Sequence, residues 1–174
     1  GNELWAALSG SFFAESDSDA ACLILQVQDI TARRQAEAGL HHIAFHDALT
    51  GLPNRRRFQE HLVQALEQVR VEPQRHFGLM FLDFDRFKLI NDSLGHAVGD
   101  DFLIAVSRRI LRQLRPTDIV ARLGGDEFAI LAEDLDCEHY AVTLAERLIE
   151  SLRQLFQTAA TEISTSASIG ITFS

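Results

Sequence analysis

Arg122-Leu-Gly-Gly-Asp-Glu-Phe-Ala-Ile-Leu131 is the stretch on which the reading of this chain turns. Two glycines run straight into two acids, with apolar, strand-like residues on either side. Gly124-Gly125 is a two-residue hairpin signal. A hairpin needs only a turn, so one reading is a solvated tip. Asp126 and Glu127 are then the first residues of the returning strand, and successive strand residues point to opposite faces. If the sheet has a covered face, at most one of the two acids is simply solvated. The glycines also remove side chains where a ligand could approach the backbone closely.

A second stretch goes with the first. Phe77–Leu82 is an apolar run that reads as a buried strand over 77–84, and it ends in Asp83 and Asp85. These acids are two residues apart and so share a face. Hard cations such as Mg²⁺ take oxygen ligands, and usually keep waters while sharing one or two carboxylates with substrate phosphates. Asp83 at a strand end and Asp126 at a hairpin tip can supply that arrangement. For Asp85 the simpler reading is an N-cap on a helix starting near Arg86.

Composition sets outer limits. The 174 residues fit one ordinary domain, or one domain with a fragment of another. A hydrophobic content of 47% with 12 phenylalanines can fill a core. The net charge of −9 argues against a polynucleotide surface, while a small nucleotide held by local Lys, Arg and metal stays open. No apolar run reaches membrane-spanning length and no signal-peptide pattern is visible, so no direct membrane contact is expected in this segment. Cys22 and Cys137 read as reduced, structural thiols. His41, His42 and His46 read as a helix face rather than a metal site. The first residue is Gly1 and the one methionine is Met80, so the expectation is a piece of something longer or a processed product.

Along the chain, residues 3–13 and 21–28 read as two strands joined by the turn signal Ser16-Asp-Ser-Asp19. Thr31 to about His46 reads as a helix capped by Asp29 or Thr31, with Ala36, Leu40, Ile43 and Ala44 as a partial apolar stripe able to pair with its copy. Gly51-Leu-Pro53 breaks it. Asn54 caps a helix running to about Val71, with Phe58, Leu62, Ala65, Leu66 and Val69 on one face. After strand 77–84 comes a turn region with Asn91, Gly95 and Gly99. A helix from about Gly99 to Leu114 follows, striped by Leu103, Val106, Ile110 and Leu114 and ended by Pro116. The Gly-Gly hairpin joins strands 118–123 and 127–132. A helix over about 137–156 aligns Ala141, Leu144, Leu148 and Leu155, and Ile163–Phe173 is the last strand. The fold class is α+β: a ferredoxin-like βαββαβ sheet with helices on one face, preceded by an N-terminal hairpin and linker helix.

His46-Asp-Ala-Leu-Thr-Gly-Leu-Pro-Asn-Arg55, Asp83-Phe-Asp-Arg-Phe-Lys-Leu-Ile-Asn-Asp92, Gly95-His-Ala-Val-Gly-Asp100, Arg122-Leu-Gly-Gly-Asp-Glu-Phe128 and Ser168-Ile-Gly170 stand in that order. Together they resemble the GGDEF family, the diguanylate cyclases, over about residues 46–174. The resemblance implies a palm of the nucleotidyl cyclase type. It also implies an activity, the condensation of two GTP into cyclic di-GMP with release of two pyrophosphates. Val27-Gln-Asp-Ile-Thr31 before a charged helix resembles the exit of a PAS sensor domain. The expected organisation is a PAS hairpin fragment over 1–30, a linker helix over 31–46 and a GGDEF domain over 47–174 that stops short of a further family helix carrying a phosphate-contacting lysine and arginine. Trp5, Phe12, Phe13, Leu23, Ile24 and Leu25 need cover, so the hairpin is expected to pack on the core or pair between chains.

By resemblance, Asp83, the Phe84 carbonyl, Asp126 and Glu127 hold the metal, Mg²⁺ with Mn²⁺ as the alternative. Asp126 is the presumed proton acceptor and Glu127 a further catalytic carboxylate. Asn91 and Asp100 match the guanine readers; on the residues alone, Asn91 also suits a turn and Asp100 an acidic first helical turn. Lys88 suits phosphate charge or a plain surface. His96 falls near the substrate, and Gly124 and Gly125 lie against it. Arg122 reads as structural. Arg115 and Asp118 match the Arg-x-x-Asp product-inhibition site, the alternative for Arg115 being a helix C-terminal cation. The implied partners are GTP, cyclic di-GMP, a second copy for catalysis, and an EAL-type phosphodiesterase domain if one follows in the parent chain. The implied location is the cytoplasm, any membrane anchor lying elsewhere in the parent chain. A GTP or cyclic di-GMP binding module without turnover is the competing reading.

Overall fold

The computed structural model describes residues 4–14, 21–133, 138–157 and 161–174. Residues 1–44 and 45–174 are two compact units, each taken by itself. In the first, β1 (Ala6–Ala14) and β2 (Ala21–Asp29) pair antiparallel, and α1 (Thr31–Phe45) follows. Leu8 faces Val27 and Gly10 faces Leu25 across the pair, so one face is apolar and the intervening pair Ser9–Gln26 polar. Leu8, Leu25 and Val27 are well exposed. Asp29 starts the helix as expected: its Oδ1 accepts from the Thr31 amide at 2.8 Å. Trp5 is tied to the same corner, donating its amide to Thr31 Oγ1 at 2.9 Å, with the Arg34 guanidinium 4.2 Å from its ring centroid. Ala36 and Ile43 of the expected α1 stripe are exposed. The Ser16–Asp19 turn, Cys137, and the side chains of Phe12, Phe13, Cys22, Leu23, Leu40 and His41 lie outside the described residues.

In the second unit, α2 (Arg55–Val71) starts where the sequence puts it, with the Asn54 side chain accepting from the Arg57 amide at 3.0 Å. Then come β3 (Gly78–Phe84), α3 (Phe87–Leu94), α4 (His96–Leu111), β4 (Ile119–Gly124), β5 (Glu127–Ala132), α5 (Glu138–Arg153), a two-residue pair β6 (Phe156–Gln157) and β7 (Glu162–Ile163), and β8 (Ala167–Phe173). The main sheet has the order β4-β5-β3-β8, antiparallel throughout. This is the ferredoxin-like arrangement the element order implied.

Period-two burial along β3 separates two cores. Met80, Leu82 and Phe84 are buried with α4 and α5 residues, where Phe102 lies edge-on to Phe84 at 5.4 Å and to Phe156 at 4.9 Å. The other face takes α2: Phe58 and Ala65 pack with Ala121, Ala129 and Leu131. Helices therefore cover both faces, not one, because α2 adds an apolar stripe that needs its own side of the sheet. Leu66 departs from the expected stripe and is exposed; so is Leu155, which lies past the end of α5, while Leu152 and Phe156 take the buried places.

Two further differences bear on the site. The segment around Asn91 and Gly95 is helix, not turn. Gly95 closes α3, its amide donating to Asn91 O at 2.9 Å, and opens α4 at φ 88°. The glycine marks a junction between helices, and His96 is the first residue of α4 rather than a loop residue. The last strand is also split, with β7 pairing only β6. The α5 end is closed from a distance: Arg109 of α4 donates to the carbonyls of Ser151 at 3.1 Å, Gln154 at 2.7 Å and Leu155 at 2.9 Å. Among the described residues, no helix is long and apolar enough to cross a membrane.

Candidate active site

β3 and β5 run antiparallel with Leu82 opposite Phe128, so the strand end carrying Asp83 lies beside the strand start carrying Glu127. Gly124 ends β4 opposite Glu127, so the β4–β5 turn is Gly125-Asp126 rather than Gly124-Gly125, and Asp126 precedes the returning strand. The two glycines stand at φ 143° and 55°, values a side chain would resist. Asp126 sits in that turn, half-buried, and its carboxyl is held above the ordinary carboxylate range. Burial is the first cause, followed by the like charges of Asp83 and Glu127. Phe128 returns to the core, fully buried. Asp83 and Glu127 are exposed and, with Arg55, Phe81, Leu82 and Leu123, line a cleft of about 420 Å³.

Among the described residues, no three His, Cys, Asp or Glu side chains form a ready-made metal cage. The donor chemistry nevertheless fits a hard cation: mutually repelling carboxylates at two strand ends, one already disfavoured as the anion. Water or other oxygen donors would complete the shell of such an ion.

Of the expected guanine readers, Asn91 lies on α3 and Asp100 on α4, and Asn91 stands against Gly99. A Cβ on Gly99 would overlap the Asn91 amide oxygen and fall 3.5 Å from the Phe87 ring. The missing side chain lets α3 and α4 close until Asn91 stands against the residue preceding Asp100. Lys88, His96 and Asp100 are exposed. Asp85 is not the α3 cap. Arg86 holds that position at φ 63° with no side-chain cap bond, because Asp85 is turned to the β7–β8 segment, accepting from the Ser166 hydroxyl. A larger cleft, about 700 Å³, lies there between Arg86, Leu89 and Ser164–Ser166, away from the β4–β5 turn.

Four residues outside the expected site, Asp47, Thr50, Arg55 and Arg122, hold the hairpin in place. Arg122 Nη1 donates to both Asp47 oxygens at 3.0 and 3.2 Å, and its Nε donates to Gly125 O at 2.9 Å. Thr50 donates its amide and hydroxyl to Asp47 at 2.9 and 2.7 Å. Burial pushes the Asp47 carboxyl up, but the Thr50 bonds and the Arg122 charge win and hold it below its ordinary value. Arg55 Nε donates to Leu123 O and its Nη2 to Glu127, both at 3.3 Å. The signal was visible in His46–Arg55 as a motif; the partner of each residue was not.

At the opposite end of β4, Asp118 is nine-tenths buried. Its Oδ2 accepts from the Arg115 amide at 2.8 Å and from the Tyr140 hydroxyl at 2.9 Å, while its Oδ1 is buried without a partner. Arg115 is exposed, its guanidinium 3.5 Å from the Tyr140 ring centroid. Burial and then Asp118 push the Tyr140 hydroxyl up.

Residues 44–174 match the profile of the diguanylate cyclase GGDEF domain. The chain belongs to the GGDEF family. It is 44% identical over 151 residues to diguanylate cyclase TpbB of Pseudomonas aeruginosa, covering 86% of this chain and 34% of TpbB. It is 43% identical over 141 residues to MucR of the same organism, a bifunctional diguanylate cyclase/cyclic di-GMP phosphodiesterase, covering 81% of this chain and 20% of MucR. The chain thus spans about a third of TpbB and a fifth of MucR. Among solved structures, the coiled coil and GGDEF domain of DgcB from Caulobacter crescentus, in complex with c-di-GMP, superposes with a TM-score of 0.75 at 26% identity, covering 83% of this chain and 77% of that one. The α+β palm of this family is the fold described above.

Proposed function

We propose that this GGDEF domain is a diguanylate cyclase, joining two GTP molecules into cyclic di-GMP. The observation that carries the reading is the convergence of Asp83, Asp126 and Glu127 beside two glycines, with Asp126 held above its ordinary range. In each half-reaction the 3′-hydroxyl oxygen of one GTP bonds to the α-phosphorus of the other, the bond to the pyrophosphate oxygen breaks, and the hydroxyl proton leaves. Asp126 is poised to take that proton, because a carboxylate destabilised by burial and by like charges is a stronger base. Asp83, the Phe84 carbonyl, Asp126 and Glu127 would hold the divalent ion, Mg²⁺ or Mn²⁺. When bound, that ion neutralises phosphate charge and acidifies the hydroxyl. Asn91 and Asp100 present an amide and a carboxylate to a guanine edge, with His96 nearby and Lys88 on the phosphate side. Gly124 and Gly125 admit the nucleotide against bare backbone.

Two GTP molecules joined symmetrically call for two such sites face to face, so the working unit is a dimer. Product feedback is assigned to Arg115 and Asp118, with the guanidinium forking onto guanine or phosphate. PAS control from the hairpin side and a cytoplasmic location complete the reading. The second reading is a regulatory module that binds GTP or cyclic di-GMP without turnover, favoured by the kinship to the bifunctional MucR. Incubating the chain, and a version carried past Ser174, with GTP and Mg²⁺ separates the two. Cyclic di-GMP should form, and should not form after Asp126→Ala in a protein that still folds. GTP binding with no product in either length would support the module; product from Asp126→Ala at the wild-type rate would remove the assignment.

A further inference from the structure

Among the described residues, Arg55 is the one basic residue lining the cleft between Asp83 and Glu127. The other guanidinium at this hairpin, Arg122, is committed to both Asp47 oxygens and to Gly125 O. Arg55 is held more loosely. Its contacts to Glu127 and to Leu123 O are both 3.3 Å, and the Arg55 and Glu127 side chains are 57% and 59% exposed. An ion pair that open contributes little and exchanges readily. Three carboxylates stand at these strand ends, and a nucleoside triphosphate brings further negative charge. A divalent ion alone leaves that sum strongly negative. Arginine is the side chain whose planar fork matches a phosphate in two bonds, and Arg55 stands on the first residue of α2, where the helix dipole also favours an anion.

We propose that Arg55 is a phosphate-anchoring residue of this cleft. Without nucleotide it neutralises Glu127; when a nucleoside triphosphate and its cation arrive, Glu127 turns to the cation and Arg55 turns to the β- or γ-phosphate. The exchange keeps each charge paired in both states. This rests on the nucleotide-site reading above and adds to it a residue and a role.

The test uses the full 174-residue chain with Arg55→Met and Arg55→Lys. Three ligands are titrated separately: a non-hydrolysable GTP analogue with Ca²⁺ by calorimetry, GMP by nuclear magnetic resonance shifts, and Mn²⁺ alone by electron paramagnetic resonance. Arg55→Met should weaken the triphosphate analogue about tenfold or more, the worth of a lost bond to a charged group. GMP should stay within about twofold, since the β- and γ-phosphates are absent from it, and Arg55→Lys should recover part of the loss. Mn²⁺ alone should bind as well or more tightly, because Glu127 is released. A merely structural role would lower all three together, and that result overturns the proposal, as does an unchanged affinity for the triphosphate analogue. If the wild-type chain binds neither the analogue nor Mn²⁺, the nucleotide-site reading itself fails and Arg55's role goes with it.

Discussion

The two ends of β4 treat their acids in opposite ways. At Gly124 the chain gathers Asp126, Asp83 and Glu127 with too little positive charge, and Asp126 is pushed above its ordinary range. At Asp118 a single carboxylate is buried beneath Arg115 and Tyr140 and given donors on one oxygen. The first end stores unfavourable electrostatics that a ligand would relieve; the second uses its acid to close the turn from α4 into the strand. The difference lies in what surrounds each acid: Asp126 meets the like charges of Asp83 and Glu127, whereas Asp118 meets the Arg115 amide and the Tyr140 hydroxyl.

Exchanging the acid at each end should therefore give opposite results. Asp126→Asn should remove cyclase activity by about a thousandfold or more, as for a group acting on the reacting atoms, and leave the melting temperature equal or higher. Asp118→Ala should cost about 1–3 kcal/mol of stability, because it strands the Tyr140 hydroxyl and the Arg115 amide. Calorimetric melting of the two variants side by side decides it; a destabilised Asp126→Asn with an unaffected Asp118→Ala would break the comparison. Tyr140→Phe sharpens it, keeping the ring under Arg115 and losing only the hydroxyl bond, at about 0.5–1.5 kcal/mol.

The smallest effect is in the pH dependence. The folded-state carboxyl of Asp126 is raised, so its ionisation opposes folding. The penalty is absent below the ordinary value of 3.8 and complete above the raised one. The stability advantage of Asp126→Asn should be present at pH 7 and vanish toward pH 3. An advantage that persisted at pH 3 would point to packing rather than charge.

How much of this was legible in the sequence follows from the range of the interactions. Strands 77–84 and 127–132 declared themselves by apolar runs, and Asn54 by its place before a helical stripe. The hairpin is local and legible, but it sits one residue later than Gly124-Gly125 suggests: Gly124 still pairs with Glu127, and the loop is Gly125-Asp126. Gly95 was read as a loop because a glycine signals a break; it breaks one helix and starts another within a single residue. Asp85 looked like a cap because its competitor, Ser166, is 81 residues away. The network of Asp47, Arg55 and Arg122 was hidden for the same reason: Asp47 and Arg122 are 75 residues apart, and only the fold brings them into register. Tyr140 offered no signal, since its role depends on an Asp118 that belongs to another element.

The way Arg109 finishes α5 makes the end of one helix depend on another. The carbonyls of Ser151, Gln154 and Leu155 are satisfied by a guanidinium 42 to 46 residues upstream, and that guanidinium lies 3.7 Å from the Phe156 ring centroid. The local share is the Gln154 amide, which donates to Ser151 O at 3.3 Å; Arg109 supplies donors to all three carbonyls. An isolated α5 would fray at its last turn, and the short β6–β7 pair beyond it would have no fixed starting point. The end of α5 is therefore fully satisfied only when α4 stands beside it, so the later helix is completed by the earlier one.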